Sequence, residues 1–585
     1  MIPAIVVLIY LLILIVIGCF AFKQGKANTE DFFLASRTIG PMVFFLSIFA
    51  TNMTAFAIIG SSGLAYRAGI GVYGLMASSS GFVIPLTIFL IGTRLWSLGK
   101  RFGHMTQVQF FRDRWECSGI GTLIFALSVA MLVPYMIISI IGGGRVLNEI
   151  SVDHDETGKV VMQDVLEHGI PVMEPVMKAG KPVASADGKP MMSQKREPKT
   201  LVPYWLGCAF VAIAVTLIVF LGGMRSTVWV NIFQTVLFLS FGLVAVLVIS
   251  NKLPGGFAKY ISNMAADENK RGLVTRLKMS PWYFWSYTFI PLSSIMFPHM
   301  SIMCLSAKKV SAFKRTVILY PLAIMAIWLP CVFLGVIGSQ TIPGLKQTDG
   351  ILLQMLGEYA PVWLSGILGA GIISAVMGSD CHQVLALSTM FTKDVFSYYG
   401  GTKKYGEKGT VFFARVFIIL LTVVAYIIAL MTTTNIFELA IRFAFSGFAA
   451  MAPIMLAALF WKRSTKWGAL SSTLFVGASL IGFALLQQAF VPGGVWGELW
   501  KDAAGKSVYL FSMPQIPNWK IGMPKGDISV LWGFMPVVPM VFGSALCMFL
   551  GSISTPPPSK ATIQKYFGAI PAQAEAPQVL DRVVA

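Results

Sequence analysis

Small and polar side chains interrupt the apolar segment 362–392, and their spacing suggests a buried site for a small cation. Four of them share one helical face, at i, i+3, i+4 and i+7: Ala375, Gly378, Ser379 and His382. A carbonyl and a hydroxyl from this face could complete an oxygen cage with the backbone carbonyls of a broken helix. Neutral oxygen ligands of this kind suit a hard monovalent cation such as sodium.

Asp380 is the only carboxylate in the same segment. Placing a charged side chain at the centre of a bilayer costs at least ~2.5 kcal/mol, so an acid at that depth is a functional-site hypothesis by default. Two interpretations stay open for Asp380. It binds or relays the coupling ion, or it is a snorkelling or paired acid near the inner end of the helix.

Arg442 is the notable charge in the apolar segment 435–460, and Glu438 precedes it by one helical turn. This i,i+4 spacing favours a simple ion pair. The alternative is that Arg442 anchors a carboxylate on a bound solute, because guanidinium binds carboxylate through two parallel hydrogen bonds.

The composition of the 585 residues indicates that membrane-spanning helices position these side chains. Hydrophobic residues make up 56% and charged residues only 12%, about half the charged share of an ordinary soluble protein. This excludes a cytosolic enzyme, a disordered protein and a nucleic-acid-binding protein. The composition predicts an all-α polytopic membrane protein. The lipid bilayer is therefore one of its predicted partners.

Thirteen stretches are apolar enough and long enough to cross a bilayer, which takes about 20 residues. These predicted spans are about 2–22, 41–64, 72–97, 117–143, 202–221, 226–250, 282–304, 315–338, 362–392, 409–431, 435–460, 467–490 and 528–551. Lys23 and Lys26 follow the first span and no basic residue precedes it, so the positive-inside rule predicts an outside N-terminus. Thirteen crossings then place the C-terminus in the cytoplasm.

Spans 2 and 7 are both interrupted. Span 2 contains SIFATNMTAFAIIGSSG and span 7 contains SYTFIPLSSIMFPHMS. Their positions lie five apart, so the two spans cross in opposite directions and spans 2–6 and 7–11 form two inverted five-helix repeats. Such pairs of broken helices mark the binding site in transporters. The alternative is that Gly, Pro and Ser here only permit kinks and close packing.

The resulting domain prediction is one transmembrane transporter domain over 1–555, with core repeats at about 41–250 and 282–460. Two segments are predicted as additions to it. Residues 145–200 form a polar external insertion, and residues 556–585 form a Pro/Ala-rich cytoplasmic tail that is disordered.

Four motifs, in this order along the chain, resemble those of the sodium:solute symporter family. They are Ala50-Thr51-Asn52-Met53-Thr54-Ala55 with Gly60, Gly63 and Ala65-Tyr66; Gly222-Gly223 with Val228-Trp229 and Gln234; Leu305-Ser306-Ala307-Lys308-Lys309; and Leu459-Phe460-Trp461-Lys462-Arg463 with Trp467-Gly468-Ala469. The resemblance covers all thirteen spans apart from the insertions. It implies a fold of the LeuT type, with a core of two inverted five-helix repeats.

The resemblance also implies where sodium binds, between the break in span 2 and the face of span 9. The carbonyls would come from Ala50, Met53 and Ala375, and the hydroxyls from positions 378 and 379. This chain departs from the family pattern there, because Gly378 leaves Ser379 as the only hydroxyl. Asn231 and Met303 also replace charged residues that are usual in the family, and Asn52 replaces an acid that some members have. Asp380, with His382, is predicted to compensate as a ligand or as a proton relay.

The same resemblance places the solute beside the broken spans. Its predicted contacts are Asn52, Thr54 and Phe56 from span 2, His299 from span 7, and Arg442 and Phe445 from span 11. Sugar carriers of the family have a glutamine near the Phe445 position and a glutamate in span 3. Span 3 here offers only Ser78, Ser79 and Ser80, so a sugar is disfavoured.

These residues predict sodium-coupled symport of a small organic solute by alternating access, in the plasma (inner) membrane. A carboxylate-bearing solute is favoured, such as a monocarboxylate, an amino acid or a pantothenate-like acid. No enzymatic step, no cofactor apart from Na⁺ as the coupling ion and no obligatory protein partner are expected. The alternatives are a proton-coupled or uncoupled carrier on the same scaffold, and a transporter-like solute receptor.

Overall fold

The structure is a computed structural model. It describes residues 2–23, 28–152, 161–164, 166–167, 170–171, 173–175, 177–178, 181–182, 192–194, 196–345, 347–432, 436, 440–490 and 534–568. Side chains are described for most of these residues.

Helices form nearly all of the described chain. The α-helices are α1 Ile2–Lys23, α2 Thr29–Leu34, α3 Pro41–Asn52, α4 Ser61–Ala68, α5 Gly71–Tyr73, α6 Ser79–Thr87, α7 Thr93–Phe102, α8 Gln107–Arg114, α9 Ser118–Ile150, α10 Tyr204–Lys252, α11 Gly256–Ala266, α12 Pro281–Tyr287, α13 Ser293–Met296, α14 Pro298–Leu305, α15 Ser311–Thr341, α16 Ile351–Tyr359, α17 Val362–Met390, α18 Gly401–Met431, α19 Ser446–Phe460, α20 Lys466–Phe490, α21 Val537–Ile553 and α22 Lys560–Phe567. Wider π turns occur at Phe56–Gly60, Gly74–Ser78, Ile88–Gly92, Phe391–Phe396 and Ala440–Phe445, and 3₁₀ turns at Ala35–Arg37, Arg271–Leu273, Ile290–Leu292 and Thr348–Gly350.

Within the described residues, seven continuous helices are long and apolar enough to cross a bilayer, and two bent pairs raise the number to nine. The bent pairs are Pro41–Asn52 with Phe56–Ala68, and Pro281–Met296 with Pro298–Leu305. They are the predicted interrupted spans 2 and 7, so the prediction of two broken helices is confirmed. Each of the other predicted spans also falls on a described helix. The count of thirteen is approximate, because spans 11 and 13 were predicted to begin outside the described residues.

α10 carries two predicted spans in one element. Its 49 residues extend for ~74 Å at 1.5 Å per residue, more than twice the thickness of a bilayer core. The helix changes direction at Gly223, where φ is 53°. A Cβ atom at this position would lie 2.3 Å from the backbone oxygen of Phe32, so only glycine fits. The two halves therefore correspond to spans 5 and 6.

The spans pack as two groups that take matching positions from the two predicted repeats. In the first helix group, α15 packs against α3, α4 and α6, and α14 packs against α7, which brings together spans 2, 3, 7 and 8. In the second helix group, α9, α17 and α18 contact one another, which brings together spans 4, 9 and 10. Both groups contain elements from each repeat, as expected for an inverted repeat.

The insertion between α9 and α10 contains short antiparallel strands that pair only with one another among the described residues. The strands are β1 Met162–Asp164, β2 Leu166–Glu167, β3 Ile170–Pro171, β4 Met173–Pro175, β5 Met177–Lys178, β6 Lys181–Pro182, β7 Met192–Gln194 and β8 Arg196–Pro198. They pair as β1–β8, β2–β3, β4–β7 and β5–β6. An isolated bridge between Val152 and Thr200 closes the base of the insertion.

The chain after the last span differs from the prediction of a disordered tail beginning at Pro556. Residues Lys560–Phe567 form the helix α22, whose first turn is capped by the Ser559 hydroxyl accepting from the Thr562 N–H at 3.1 Å. Such a cap satisfies one of the free N–H groups at a helix start. Residues 569–585 lie outside the described part of the chain.

Candidate functional site

The break in span 2 is built by three residues between α3 and the π turn at Phe56–Gly60. Met53 has an extended backbone, and the Thr54 hydroxyl accepts from the Phe56 N–H at 3.1 Å, which starts the next helical segment. The two segments meet at 60°. Because the last carbonyls of a helix have no N–H partner within it, the end of α3 around Ala50 presents backbone oxygens at this break.

The break in span 7 lies at Phe297, between α13 and α14, and bends the pair by 52°. Pro298 has no N–H to continue the helix. The next residue, His299, is 1% exposed, and its ring stacks on Phe297 with centroids 5.0 Å apart. Neither ring nitrogen of His299 has a hydrogen-bond partner among the described residues.

A small cavity lies between the two broken spans. It is lined by Asn52, Met53, Phe56, Ala57, Ser80, Ile84, Tyr287, Ile290, Pro291, Ser293, Ser294, Trp328 and Phe445. Its volume of about 20 Å³ has room for about one water molecule. The rings of Phe56 and Phe445 close one wall, with centroids 4.8 Å apart. A larger solute therefore needs these walls to move apart.

The structure brings three of the six predicted solute contacts to the cavity wall, Asn52, Phe56 and Phe445. Thr54 is buried beside it as the cap of the next turn, and His299 lies behind Phe297. The backbone of Arg442 belongs to the π turn that ends at Phe445, but its side chain lies outside the described residues, as does Glu438.

Two aromatic residues of α15 contribute polar atoms that the sequence reading missed. The Asn52 amide donates to the Tyr320 hydroxyl at 2.6 Å. Trp328 lines the cavity, and its buried indole N–H has no hydrogen-bond partner among the described residues. Neither had a sequence signal, because an aromatic residue in an apolar span is usually core.

The predicted cation-binding face of α17 lies against α3. A Cβ atom on Gly378 would lie 3.6 Å from Cβ of Ala50, so the absence of a side chain allows the two helices to approach closely. Ala375 and Ser379 are fully buried on the same helix. The Ser379 hydroxyl accepts from the Gln383 side chain at 2.6 Å. The structure thus joins the two elements of the predicted oxygen cage.

A polar cluster surrounds Gly378 on the side of α10. The same Cβ position lies 3.2 Å from Oε1 of Gln234 and 3.3 Å from Oδ1 of Asn231. Both oxygens are buried and accept no hydrogen bond from any described residue. The Asn231 amide nitrogen lies 3.0 Å from Nδ1 of His382. Two acceptor oxygens with no hydrogen bond from a described residue therefore converge at the position where the resemblance implies a hydroxyl.

This cluster continues to α1 through a chain of hydrogen bonds. The Gln234 amide donates to the Tyr10 hydroxyl at 3.3 Å, and Tyr10 shares a hydrogen bond of 2.7 Å with Ser374 on α17. Tyr10 and Ser374 were not predicted as site residues. Their pairing holds the first span, which lies outside the two repeats, against the predicted cation-binding face.

Asp380 is placed on a different face of α17. Two residues after Gly378 it lies ~200° around the helix, away from the contact with Ala50. It is 1% exposed, and neither carboxylate oxygen has a hydrogen-bond partner among the described residues. The structure therefore does not bring Asp380 to the Ala50–Gly378 contact.

Comparison with known proteins matches most of the chain to the family that the sequence motifs resemble. The model of the sodium:solute symporter family matches residues 32–155 and 200–477. A sodium/pantothenate symporter of Haemophilus influenzae is 22% identical over 80% of this chain and 87% of its own length. A sodium/proline symporter of Staphylococcus aureus is 25% identical over 80% of this chain and 83% of its own length.

The fold is shared with a solved transporter. The structure of a Na⁺-coupled sialic acid symporter in a substrate-bound outward-open state superposes with a TM-score of 0.64. The match covers 95% of this chain and 98% of that one, at 13% identity. The predicted architecture, a LeuT-type core of inverted repeats, is thereby confirmed.

Proposed function

The chain belongs to the sodium:solute symporter family, and from this premise we propose that it couples sodium entry to the uptake of a small carboxylate-bearing solute. Its matched relatives are symporters, so it is a multi-pass membrane transporter and not an enzyme. Transport requires no covalent step. Coupled binding of ion and solute is sufficient for uphill movement.

The observation that carries this proposal is the meeting of two broken helices at one cavity. Spans 2 and 7 occupy equivalent positions in the two repeats, and both contribute wall residues, among them Asn52 and Ser294. Irregular backbone at membrane depth is tolerated where it lines a cavity. Rocking of one helix group against the other would give access to one side of the membrane at a time.

The chemistry of the cavity supports a solute with an acceptor group and an apolar portion. Apart from Arg442, whose side chain is not described, no charged residue is proposed for the solute site. The Asn52 amide and the Trp328 indole N–H are donors at or near the wall. The solutes named for the relatives, pantothenate, proline and sialic acid, all carry a carboxylate. We propose that Arg442 supplies the opposite charge.

For the coupling ion we propose the carbonyls of Ala50, Met53 and Ala375 with the hydroxyl of Ser379. The unused oxygens of Asn231 and Gln234 next to Gly378 support a cation in this region, since both are neutral acceptors. Asp380 lies on another face of α17, away from these ligands, so we propose it as a proton carrier only. Its burial with no hydrogen-bond partner among the described residues is the observation that favours the alternative of proton-coupled transport.

We further propose that the protein lies in the plasma membrane with its N-terminus outside and its C-terminus in the cytoplasm. Basic residues of three loops that this topology places inside, between spans 1 and 2, 3 and 4, and 7 and 8, meet at one end of the helix bundle. Arg37 donates to the backbone oxygens of Leu305 and His104, and Lys100 donates to that of Lys308. Concentration of basic residues at one end fits the positive-inside rule.

Uptake by proteoliposomes tests the function directly. Vesicles with purified protein are given radiolabelled proline, pantothenate or sialic acid, under an inward sodium gradient or an inward proton gradient. Glucose is the negative control. Accumulation of one acid driven by sodium alone is expected. Accumulation driven only by the proton gradient would establish the alternative, and no uptake of any acid would contradict the proposed solute class.

A further inference from the structure

The helix α22 is docked against the inner loop between spans 3 and 4. Nζ of Lys565 lies 2.7 Å from both carboxylate oxygens of Asp113 on α8, and the Tyr566 hydroxyl donates to the same carboxylate. The Thr562 hydroxyl donates to Glu116, just before α9. Three side chains spaced along α22 thus meet two acids of one loop.

The docked helix also buries aromatic surface. The Tyr566 ring is 6% exposed and packs on Phe102 and Phe110, with centroids 5.2 and 5.9 Å away. Phe567 lies under the guanidinium groups of Arg94 and Arg114, at 5.5 and 5.2 Å. Phe102 and Arg94 belong to α7 in the first helix group. α22 therefore contacts span 3 on one side and the loop that leads into span 4 on the other.

The link from the last span holds α22 in this position. Arg463 donates to the backbone oxygens of Ser552 at 2.8 Å and Thr555 at 2.9 Å. The hydroxyls of Thr465 and Thr555 share a hydrogen bond of 2.8 Å. The end of α21 is therefore fixed to the turn between α19 and α20, four residues before Ser559.

The loop under α22 is itself connected to both broken and unbroken spans. The Gln107 side chain of α8 donates to the Met296 backbone oxygen at 2.9 Å and accepts from the Ser301 hydroxyl at 2.8 Å. The Thr106 hydroxyl contacts both carboxylate oxygens of Asp394 at 2.9 Å. This loop thus joins the break of span 7, in the first helix group, to the end of span 9, in the second.

We propose that α22 is a clasp that stabilises the closed inner side of the transporter and must loosen before the inner side opens. The inference rests on the proposed alternating-access function, since only opening would separate span 7 from span 9 at this end. α22 contacts both α7 and the α8 loop. Separation of α7 from the α8 loop would therefore break the contacts that α22 makes with them. Removal of the clasp should therefore populate the inward-open state.

Hydrogen exchange of the full-length protein in nanodiscs tests this without any solute. The clasp variant is Lys565→Ala with Tyr566→Ala, and the matched control is Lys560→Ala, an exposed lysine of the same helix. The clasp variant should exchange ~10-fold faster, as expected for easier local opening, at peptides covering Pro298–Leu305 and Phe391–Phe396. The control should match the parent protein.

Faster exchange confined to α8 and α22 would overturn the proposal, because it would mean local fraying only. Exchange of Ser446–Phe460 reports whether the variant is folded. If exchange of Ser446–Phe460 is disturbed in the double variant, Asp113→Asn, which keeps the side-chain volume, is used in its place. Faster exchange at Pro298–Leu305 and Phe391–Phe396 is again the expected result, and faster exchange confined to α8 and α22 again overturns the proposal. The measurement needs neither ion nor solute, so its failure is separate from failure of the uptake test.

Discussion

Arg145 on α9 donates to Asp349 across 2.7 Å, and the Asp349 side chain is fully buried at the end of the bundle opposite to α22. The same carboxylate oxygen of Asp349 accepts the backbone N–H of Ile436 at 3.0 Å. A Cβ atom on Gly63 would lie only 2.7 Å from the other oxygen. One carboxylate therefore joins spans 2, 4 and 11 at the proposed outer side.

Removing the arginine should open this end. Arg145→Gln leaves Asp349 buried without its charged partner, a change that typically costs ~3–5 kcal/mol. We expect faster hydrogen exchange at Ser61–Ala68 and Thr348–Gly350, while the α8 loop stays protected. Arg271→Gln, which removes an exposed arginine of the neighbouring 3₁₀ turn, is the control and should have no effect.

A second variant separates loss of the pair from general damage. Adding Asp349→Asn to Arg145→Gln removes the unpaired charge, so protection should recover in part because the two sites are coupled. Equal exchange in the single and double variants would show that the ion pair does not hold the outer end closed.

The space beside Gly378 gives a prediction for the cation-binding face. A serine there would place its Cβ 3.2–3.3 Å from the two acceptor oxygens of Gln234 and Asn231, which is tight, but its hydroxyl could donate to one of them. Gly378→Ala has the same crowding without a donor. We expect Gly378→Ser to be more stable than Gly378→Ala by ~1 kcal/mol, the net value of one hydrogen bond.

Thermal unfolding of the two variants checks this difference, and sodium titration of uptake checks its relation to function. Gly378→Ser should need less sodium for half-maximal uptake than Gly378→Ala. If alanine is the better substitute in both measurements, the two oxygens of Asn231 and Gln234 are not available to a new donor.

The fold was predictable because its signals are local. Pro298, the polar residues Thr51, Asn52 and Thr54, and the thirteen apolar stretches are each visible in a short window of sequence. The polar cluster was not predictable in detail, because its members come from distant positions. Tyr10 and Ser374 are 364 residues apart, and an isolated tyrosine or serine in an apolar span says nothing about its partner.

The helix α22 shows a signal that was present and overlooked. Pro and Ala dominate the region after residue 555, and that composition favours disorder. Within it, Ser559 followed by Thr562 is a helix start, and Tyr566 and Phe567 supply a face to bury. The average composition of the tail concealed an eight-residue element that tertiary contacts stabilise.

Deletion of the insertion should leave transport intact. Its strands pair with one another, and its base is closed by the Val152–Thr200 bridge, with the Asn148 amide donating to the Thr200 hydroxyl at 3.0 Å. Replacing 153–199 with a short Gly/Ser linker should therefore preserve membrane insertion and sodium-driven uptake. Loss of uptake at normal surface expression would instead place the insertion on the binding path.

Docking of α22 should depend little on pH in the physiological range. Burial alone would raise the pKa of Asp113, but hydrogen bonds from Lys565 and Tyr566 and the nearby His104 bring it below its ordinary value of 3.8. The ionised Asp113 carboxylate therefore stabilises the contact fully at any pH above 3.8. This stabilisation is lost only as the pH falls through the lowered pKa of the docked state. Burial also lowers the pKa of His104 below 6.5, despite Asp113 beside it.

We therefore expect α22 to be equally protected from exchange at pH 8 and pH 6.5, after correction for intrinsic rates, and to remain docked at pH 5. Protonation of His104 would only add a positive partner to Asp113. Asp113→Asn should weaken docking equally at all three values. Release of α22 in the parent protein between pH 8 and 5 would mean that another group controls the contact.

Ser379 and Asp380 separate the two models of coupling. Ser379 is the only hydroxyl at the two positions implied for sodium, so Ser379→Ala should raise the sodium concentration for half-maximal uptake by ~10-fold, as expected for loss of a ~1.4 kcal/mol contact. It should change solute affinity little. Ser388→Ala on the same helix is the control, because the Ser388 hydroxyl is used in a hydrogen bond to the Ala414 backbone oxygen at 3.0 Å.

Asp380→Asn completes the test, because it keeps the shape of the side chain and removes its proton exchange. If Asp380 carries the coupling proton, uptake by the parent protein should follow the pH gradient, and the asparagine variant should lose that dependence. If sodium is the coupling ion, Ser379→Ala should shift the sodium requirement while Asp380→Asn leaves the response to pH flat. Sodium-independent and pH-independent uptake in the parent, unchanged in both variants, would contradict coupling at α17 and establish a facilitative carrier.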